Sequence, residues 1–224
     1  MISIAIDGPS GAGKSTIARM VAKDLGCLYV DTGALYRTIG LYAVRKGVGP
    51  EDENGVSALL PELDIRLTHE NGVQQVYLLG ENVSEEIRRP EMSKAASNVS
   101  RHPAVRAYLL ETQRKLAREN NVLMDGRDIG TVVLPDAQVK IFLTASAEKR
   151  AERRYKEQIA KGDHSQTYEQ VLEAVIQRDY NDSHRAIAPL KQAEDAVLAD
   201  TSELDLEQSV QLIKDIIREK CAAL

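Results

Sequence analysis

The segment with the clearest chemical signature lies near the start of the chain, between a short apolar run and an amphipathic stretch. Its residues are, in order, Gly8, Pro9, Ser10, Gly11, Ala12, Gly13, Lys14, Ser15 and Thr16. The part that ends at Ser15 matches G-x-x-x-x-G-K-[ST], a loop whose backbone N–H groups and following helix N-terminus bind phosphate. Lys14 is expected to reach the β- and γ-phosphates, and the Ser15 hydroxyl to ligate Mg²⁺. We therefore predict a nucleoside triphosphate site.

The sequence is less consistent with several other classes of protein that contain a glycine-rich turn. A dinucleotide-binding loop needs a third glycine where Thr16 stands. A GTPase is expected to carry an Asn/Thr-Lys-x-Asp guanine reader, which the sequence lacks. A motor or helicase would usually need a longer chain and a surface for nucleic acid. A small-molecule kinase needs a second pocket for its acceptor and cations for the transferred phosphoryl group.

A second group of charged residues follows the apolar run VLMD. Asp125, Arg127 and Asp128 flank Gly126 at the carboxyl end of a predicted core strand, where open α/β sheets bind ligands. Asp125 could hold Mg²⁺ through a bound water, Arg127 an acceptor phosphate, and Asp128 a donor group of the substrate. The alternative is an acidic strand end that only forms a turn.

Arginines are also clustered further along the chain. Arg178, Asp182 and Arg185 have the spacing i, i+4, i+7, which predicts one shared helix face. The preceding predicted helix carries Arg150, Arg153 and Arg154 on one face. The two helices and the 161–167 loop between them could form a lid that closes over phosphates and excludes water. The alternative for both helices is an ordinary charged surface.

Composition restricts the partners of the protein. The chain has 224 residues, a net charge of −5, one Phe and no Trp. Because nucleic-acid binding usually needs a basic face or aromatic stacking platforms, we predict no nucleic-acid partner. The apolar runs are too short to cross a bilayer, so we predict no membrane association. Two cysteines and the absence of a signal peptide favour a cytoplasmic protein.

The order of apolar runs and helix-length segments predicts the α/β class. Continuous apolar runs indicate parallel strands covered on both faces. The predicted strands are 2–7, 27–31, 122–125, 139–144 and 196–200, and the main predicted helices are 14–25, 33–46, 147–161, 168–182 and 206–221. Two further helices should flank Pro103. Alternating runs on either side of Asn71-Gly72 predict an antiparallel hairpin within a β insert at about 63–88.

Several long segments resemble bacterial cytidylate kinases, which use ATP to phosphorylate CMP and dCMP. The resemblance covers nearly the whole chain. It rests on GPSGAGKST at 8–16, DTGALYR at 31–37, DGRDIGTVVLPDAQVKIFLTAS at 125–146, RAERR at 150–154 and RDYNDSHRAIAPL at 178–190. It implies a P-loop core with a five-stranded parallel sheet, a helical lid and an acceptor-binding domain with a small antiparallel β insert. A kinase for UMP, AMP or shikimate, or an ATP-dependent switch without an acceptor, are the alternatives.

The resemblance also implies roles for individual residues. Arg37, Arg127 and Arg185 are expected to bind the acceptor phosphate. Ser97, Arg106 and Asp128 are expected to contact the cytosine edge, and Arg178 and Asp182 the ribose hydroxyls. Thr32 and Tyr36 complete the implied CMP site. The implied catalytic residues are Lys14, Arg127, Arg185, Arg150 and Arg154, the last two closing on ATP.

Domain boundaries follow from the same resemblance. We expect a single P-loop kinase chain, active as a monomer, with Mg²⁺ and ATP. The expected core is about 1–32, 120–148 and 186–224, the CMP-binding domain about 33–119, and the lid about 149–185.

Overall fold

The computed structural model of the protein describes residues 1–70 and 73–222. Strands and helices alternate along most of the chain. The strands are β1 Ser3–Asp7, β2 Leu28–Asp31, β3 Ile65–Glu70, β4 Val73–Leu78, β5 Glu81–Asn82, β6 Val122–Gly126, β7 Val139–Thr144 and β8 Val197–Asp200. The helices are α1 Lys14–Leu25, α2 Thr32–Arg45, α3 Glu53–Leu59, α4 Pro90–Val99, α5 Pro103–Glu119, α6 Ala147–Ala160, α7 Tyr168–His184 and α8 Leu206–Ala222.

The chain forms two compact units. The first unit combines Met1–Leu28 with Asn121–Leu224, and the second is Tyr29–Asn120. The boundary falls inside β2 and again just before β6. This division into two units does not distinguish a lid at 149–185, so the separate lid stays a prediction.

The first unit is built on parallel strands. β1 pairs with β6 on one side and β7 on the other, and β7 pairs with β8, all in parallel. With β2 at one edge, the order of this five-stranded sheet is β2-β6-β1-β7-β8. Every residue of β6 is buried, which explains why the strand begins with the continuous apolar run Val122–Met124 rather than an alternating pattern. The predicted α/β core is confirmed.

Parallel pairing brings the chemically interesting segments to one edge of the sheet. Asp7, the last residue of β1, is in register with Gly126, the last residue of β6. The glycine-rich loop leaves the sheet after Asp7, and Arg127 and Asp128 leave it after Gly126. The carboxyl ends of these neighbouring strands therefore hold both candidate segments, as expected for an open α/β sheet.

The second unit contains the predicted antiparallel insert. β3 and β4 pair from Ile65–Leu78 to Glu70–Val73, and β5 pairs with β4. The hairpin is confirmed, whereas its predicted turn, Asn71-Gly72, lies outside the described residues. Val76 and Leu78 of β4 are buried against Leu41 and Tyr42 of α2 in one hydrophobic cluster. This packing fixes the insert on the helix that carries Arg37.

Most predicted boundaries agree with the structure within one or two residues. The Thr167–Gln170 capping box begins α7 as its sequence predicts. The helix then continues to His184, and Arg185 is in an extended conformation (φ −66°, ψ 143°). The prediction that Arg185 shares a helix face with Arg178 and Asp182 is therefore wrong. Among the described residues, none of the helices has the length and apolar character needed to cross a membrane.

Candidate active site

The glycine-rich loop has the geometry of a phosphate-binding loop. Gly8, Gly11 and Gly13 all have positive φ angles, of 151°, 78° and 89°. A Cβ atom on Gly8 would lie 1.9 Å from the carbonyl oxygen of Leu143, so only glycine fits there. The loop ends where α1 begins at Lys14, which gives the helix N-terminus the orientation needed for an anion.

Lys14 is buried within this loop. Its side-chain Nζ donates a hydrogen bond to the carbonyl oxygen of Pro9 at 2.8 Å. Burial, reinforced by the positive charge of Arg127, lowers the pKa of Lys14 to about 7. The ammonium group is therefore poised to gain stabilisation from the negative charges of a triphosphate.

We expect ATP binding to be linked to proton uptake by Lys14. Because its pKa is lowered, the free folded protein is largely deprotonated there at pH 8, and the phosphates of ATP raise that pKa. Titration calorimetry at pH 8 in buffers of different ionisation enthalpy should show uptake of about one proton. The same linkage applies to folding. As the pH is raised from about 7, the pKa of Lys14 in the folded protein, to its ordinary pKa of 10.5, the free energy of unfolding of the protein without ATP should increase. Uptake that persists in Lys14→Met would contradict the assignment.

Ser15 and Asp125 provide oxygen ligands beside the loop. The Ser15 hydroxyl donates to Oδ2 of Asp125 at 2.8 Å, and Asp125 is buried. A hydroxyl and a carboxylate are ligands that suit Mg²⁺, which keeps most of its remaining positions for water and phosphate oxygens. The residues present therefore fit the ion, Asp125 through a bound water.

The Asp125–Asp128 segment contacts the end of α7 through two ion pairs. Arg127 Nε donates to Oδ2 of Asp182 at 2.9 Å. Arg185 lies 3.4 Å from Oδ1 of Asp128, and both side chains are only 7% exposed. Four of the predicted acceptor residues therefore lie together in the first unit, namely Arg127, Asp128, Asp182 and Arg185. Arg185 follows the end of α7 and does not lie on the face of that helix.

Asp182 is held ionised by this arrangement. Burial opposes its charge, but Arg127, Arg178 and Arg185 outweigh that effect and lower the pKa of Asp182 below its ordinary value. The arginines are in turn partly neutralised by carboxylates. A phosphate entering this cluster would meet guanidinium groups already oriented by buried partners.

Asp7 is a functional candidate that sequence reasoning missed. Its two carboxylate oxygens accept hydrogen bonds from the backbone N–H groups of Ile129 and Gly130 at 2.8 and 2.7 Å. Asp7 thereby fixes the chain immediately after Asp128. Burial raises the pKa of Asp7 to about 6. The available sequence signal was an acid at the last position of β1, directly before the loop.

Arg150 lies against the phosphate loop rather than on an exposed helix face. It is 4% exposed, and its Nη1 donates to the Ser10 carbonyl oxygen at 3.1 Å and to Asp179 at 2.9 Å. The alternative of an ordinary charged surface residue is wrong for Arg150. Arg154 is half-buried. Closure of both arginines on ATP stays a prediction.

The second unit carries five of the predicted acceptor residues, namely Thr32, Tyr36, Arg37, Ser97 and Arg106. Arg37 donates to Oδ2 of Asp31 at 2.7 Å, and its Nε is buried with no hydrogen-bond partner among the described residues. A buried guanidinium N–H of this kind is suited to an anionic ligand. Thr32, the first residue of α2, is also buried.

The predicted base-reading residues of this unit, Ser97 and Arg106, lie on α4 and α5. Arg106 donates to the carbonyl oxygen of Ser100 at 3.3 Å, and its guanidinium lies 5.8 Å from the ring centroid of Tyr36. Ser97 is half-buried near the end of α4, where its carbonyl oxygen accepts from the Ser100 hydroxyl. Polar donors and acceptors beside an aromatic ring are suited to one face and edge of a nucleobase.

Comparisons with known proteins identify the family to which the chain belongs. A cytidylate kinase from Carboxydothermus hydrogenoformans is 49% identical over 97% of this chain and 97% of its own. One from Pelotomaculum thermopropionicum is 51% identical over 94% of this chain and 93% of its own. Among solved structures, an uncharacterized protein from Eubacterium ventriosum shares the fold, with a TM-score of 0.53 at 12% identity, covering 97% of this chain and 99% of that one. The family model described as cytidylate kinase matches residues 4–219, and the chain belongs to that family.

Proposed function

We propose that this protein transfers the γ-phosphoryl group of ATP to the phosphate of CMP or dCMP. The observation that carries the proposal is the meeting of Arg127 and Asp128 with Asp182 and Arg185, in the unit that also holds the phosphate loop. Family membership supports the choice of cytidine nucleotides as acceptors. The product would be a pyrimidine nucleoside diphosphate, which places the reaction in pyrimidine nucleotide metabolism.

The phosphate loop would bind the triphosphate of ATP. Its backbone N–H groups and Lys14 would contact the phosphates, with Lys14 charged once ATP is present. Ser15 and Asp125 would hold Mg²⁺, which supplies positive charge to the phosphate oxygens when bound. Arg150 already contacts the loop and would keep its backbone oriented, while Arg154 would approach the phosphates from the same helix.

The acceptor would be bound through its phosphate and ribose. Arg37, Arg127 and Arg185 would bind the phosphate oxygens of CMP. Arg178 and Asp182 would bind the ribose hydroxyls, because the Asp182 carboxylate stays ionised and accepts from a hydroxyl while it remains bonded to Arg127. Because the attacking phosphate oxygen is already anionic, the reaction needs no general base. Positioning in line and charge neutralisation account for the catalysis.

The cytosine edge would be distinguished by hydrogen-bond polarity. Cytosine presents an amino donor beside acceptors, so Asp128 or Ser97 can accept from it and Arg106 can donate. Uracil presents a carbonyl oxygen where cytosine has the amino group. A buried carboxylate facing that oxygen is unfavourable, which predicts CMP over UMP. Thr32 and Tyr36 would line the same site.

A panel of acceptors tests the proposal. We expect ADP release from Mg·ATP to be fastest with CMP and dCMP, and kcat/KM for UMP to be lower by about 10²-fold or more. Equal or higher kcat/KM for UMP, AMP or shikimate would show that the acceptor is wrongly assigned. A slow ATP hydrolysis that no acceptor accelerates would favour the alternative of a switch. The expected monomer, and its cytoplasmic location, stay predictions.

A further inference from the structure

The β insert makes two side-chain hydrogen bonds to backbone groups of β2. β2 is the edge strand of the five-stranded parallel sheet. His69 of β3 hydrogen-bonds through Nε2 to the Tyr29 carbonyl oxygen at 2.8 Å. Gln74 of β4 accepts from the Asp31 N–H through Oε1 at 2.9 Å. His69 and Gln74 are directly opposite each other in the hairpin, so one face of the insert makes both contacts.

Asp31 connects the Gln74 contact to Arg37. Its backbone N–H bonds to Gln74, and its Oδ1 accepts from the N–H of Ala34, which caps the start of α2. Its Oδ2 accepts from Arg37 at 2.7 Å. The insert therefore fixes Asp31 through its backbone N–H. The carboxylate of Asp31 in turn holds the guanidinium of Arg37.

The packing around this pair leaves little freedom for it to move. Gln74 is 5% exposed, so its amide group has no bulk water to exchange with. A Cβ atom on Gly33 would lie 3.1 Å from Asp31 Oδ1 and 3.2 Å from Nη1 of Arg37. Glycine at this position leaves room for the ion pair, and the Gln74 contact holds the strand end from the other side.

We propose that Gln74 is a positioning residue for acceptor binding, acting through Asp31 on Arg37. The inference rests on the proposed role of Arg37 in binding the CMP phosphate. It gives the β insert a specific role, because the hairpin then orients one guanidinium of the acceptor site. Gln74 itself contacts neither substrate.

Gln74→Met tests the proposal because it keeps the length of the side chain and removes both of its hydrogen-bonding atoms. We expect KM for CMP to rise about tenfold, as is typical when the partner that orients a ligand-binding group is lost, with KM for ATP unchanged. Gln75→Met is the matched control. Gln75 is next in the same strand, points to the other face and bonds to Asn82, so its variant should keep KM for CMP.

A double-mutant cycle with Arg37→Gln separates the possible outcomes. If Gln74 acts through Arg37, Gln74→Met raises KM for CMP in the wild-type background and has no further effect in Arg37→Gln. Additive effects, or no effect of Gln74→Met, overturn the inference and leave the role of Arg37 standing. If Arg37→Gln leaves KM for CMP unchanged, the proposed role of Arg37 is wrong and the inference fails with it.

Asp31→Asn keeps the test decisive if Gln74→Met does not fold. This variant retains the backbone contact to Gln74 and the acceptor for Ala34, but weakens the pair with Arg37. We expect a raised KM for CMP, an unchanged KM for ATP and no additivity with Arg37→Gln. An unchanged KM for CMP overturns the proposed path.

Discussion

Lys14→Ala is expected to lower kcat for CMP phosphorylation by about 10³-fold or more, because the variant loses the positive charge at the transferred phosphoryl group. The fold should survive. Burial and Arg127 already disfavour the charged ammonium in the free protein, so its removal relieves an unfavourable interaction. The loss of the Lys14–Pro9 hydrogen bond offsets part of this relief, so we expect an unfolding temperature close to that of the wild type. Coupled measurement of ADP release and thermal unfolding checks both parts.

Lys23→Ala is the matched control for this experiment. Lys23 lies on the same helix, α1, but is exposed to solvent. The control should retain wild-type kcat and KM for ATP. Near-normal turnover in Lys14→Ala would refute the assigned role of Lys14, and an unfolded Lys14→Ala would refute the stability argument.

Asp128→Asn is expected to reduce the preference for CMP over UMP by about 10²-fold, measured as the ratio of the two kcat/KM values. An asparagine amide can donate to the uracil carbonyl oxygen that a carboxylate repels, and it still offers an oxygen to the cytosine amino group. It also keeps an acceptor for Arg185, which lies 3.4 Å from Asp128. KM for ATP should not change.

Asp136→Asn gives a control with the same chemical change at an exposed position of the same connection. It should leave the CMP/UMP ratio as in the wild type. A wild-type ratio in Asp128→Asn would show that Asp128 does not read the base, and Ser97 and Arg106 would then be the residues to test.

The parts of the fold that the sequence predicted best have local physical causes. The glycine-rich loop is recognisable because its spacing encodes backbone conformation, as Gly8 shows with its close approach to Leu143. The strands are recognisable because parallel strands buried on both faces are composed mainly of continuous apolar runs. The capping box at Thr167 and Gln170 involves residues three positions apart, so its geometry is also local.

The features that the sequence did not predict depend on contacts between distant residues. Periodicity placed Arg150 on a charged helix face but gave no information about Asp179 and Ser10, which bury it. Gln74 has no signature because it acts on a backbone group of another segment, and the position of Asp7 at the end of β1 gives no information about the backbone N–H groups to which it bonds. Helix α7 ends at His184 and Arg185 is extended, so the i+7 spacing, which predicts a shared face only within a helix, does not hold for Arg185.

The proposed reaction depends most on the destination of the γ-phosphoryl group. Phosphorus NMR of the protein with Mg·ATP and CMP follows that group directly. We expect the γ-phosphorus of ATP to reappear as the β-phosphorus of CDP, without inorganic phosphate. Release of inorganic phosphate at a rate that CMP does not alter would contradict the proposed transfer.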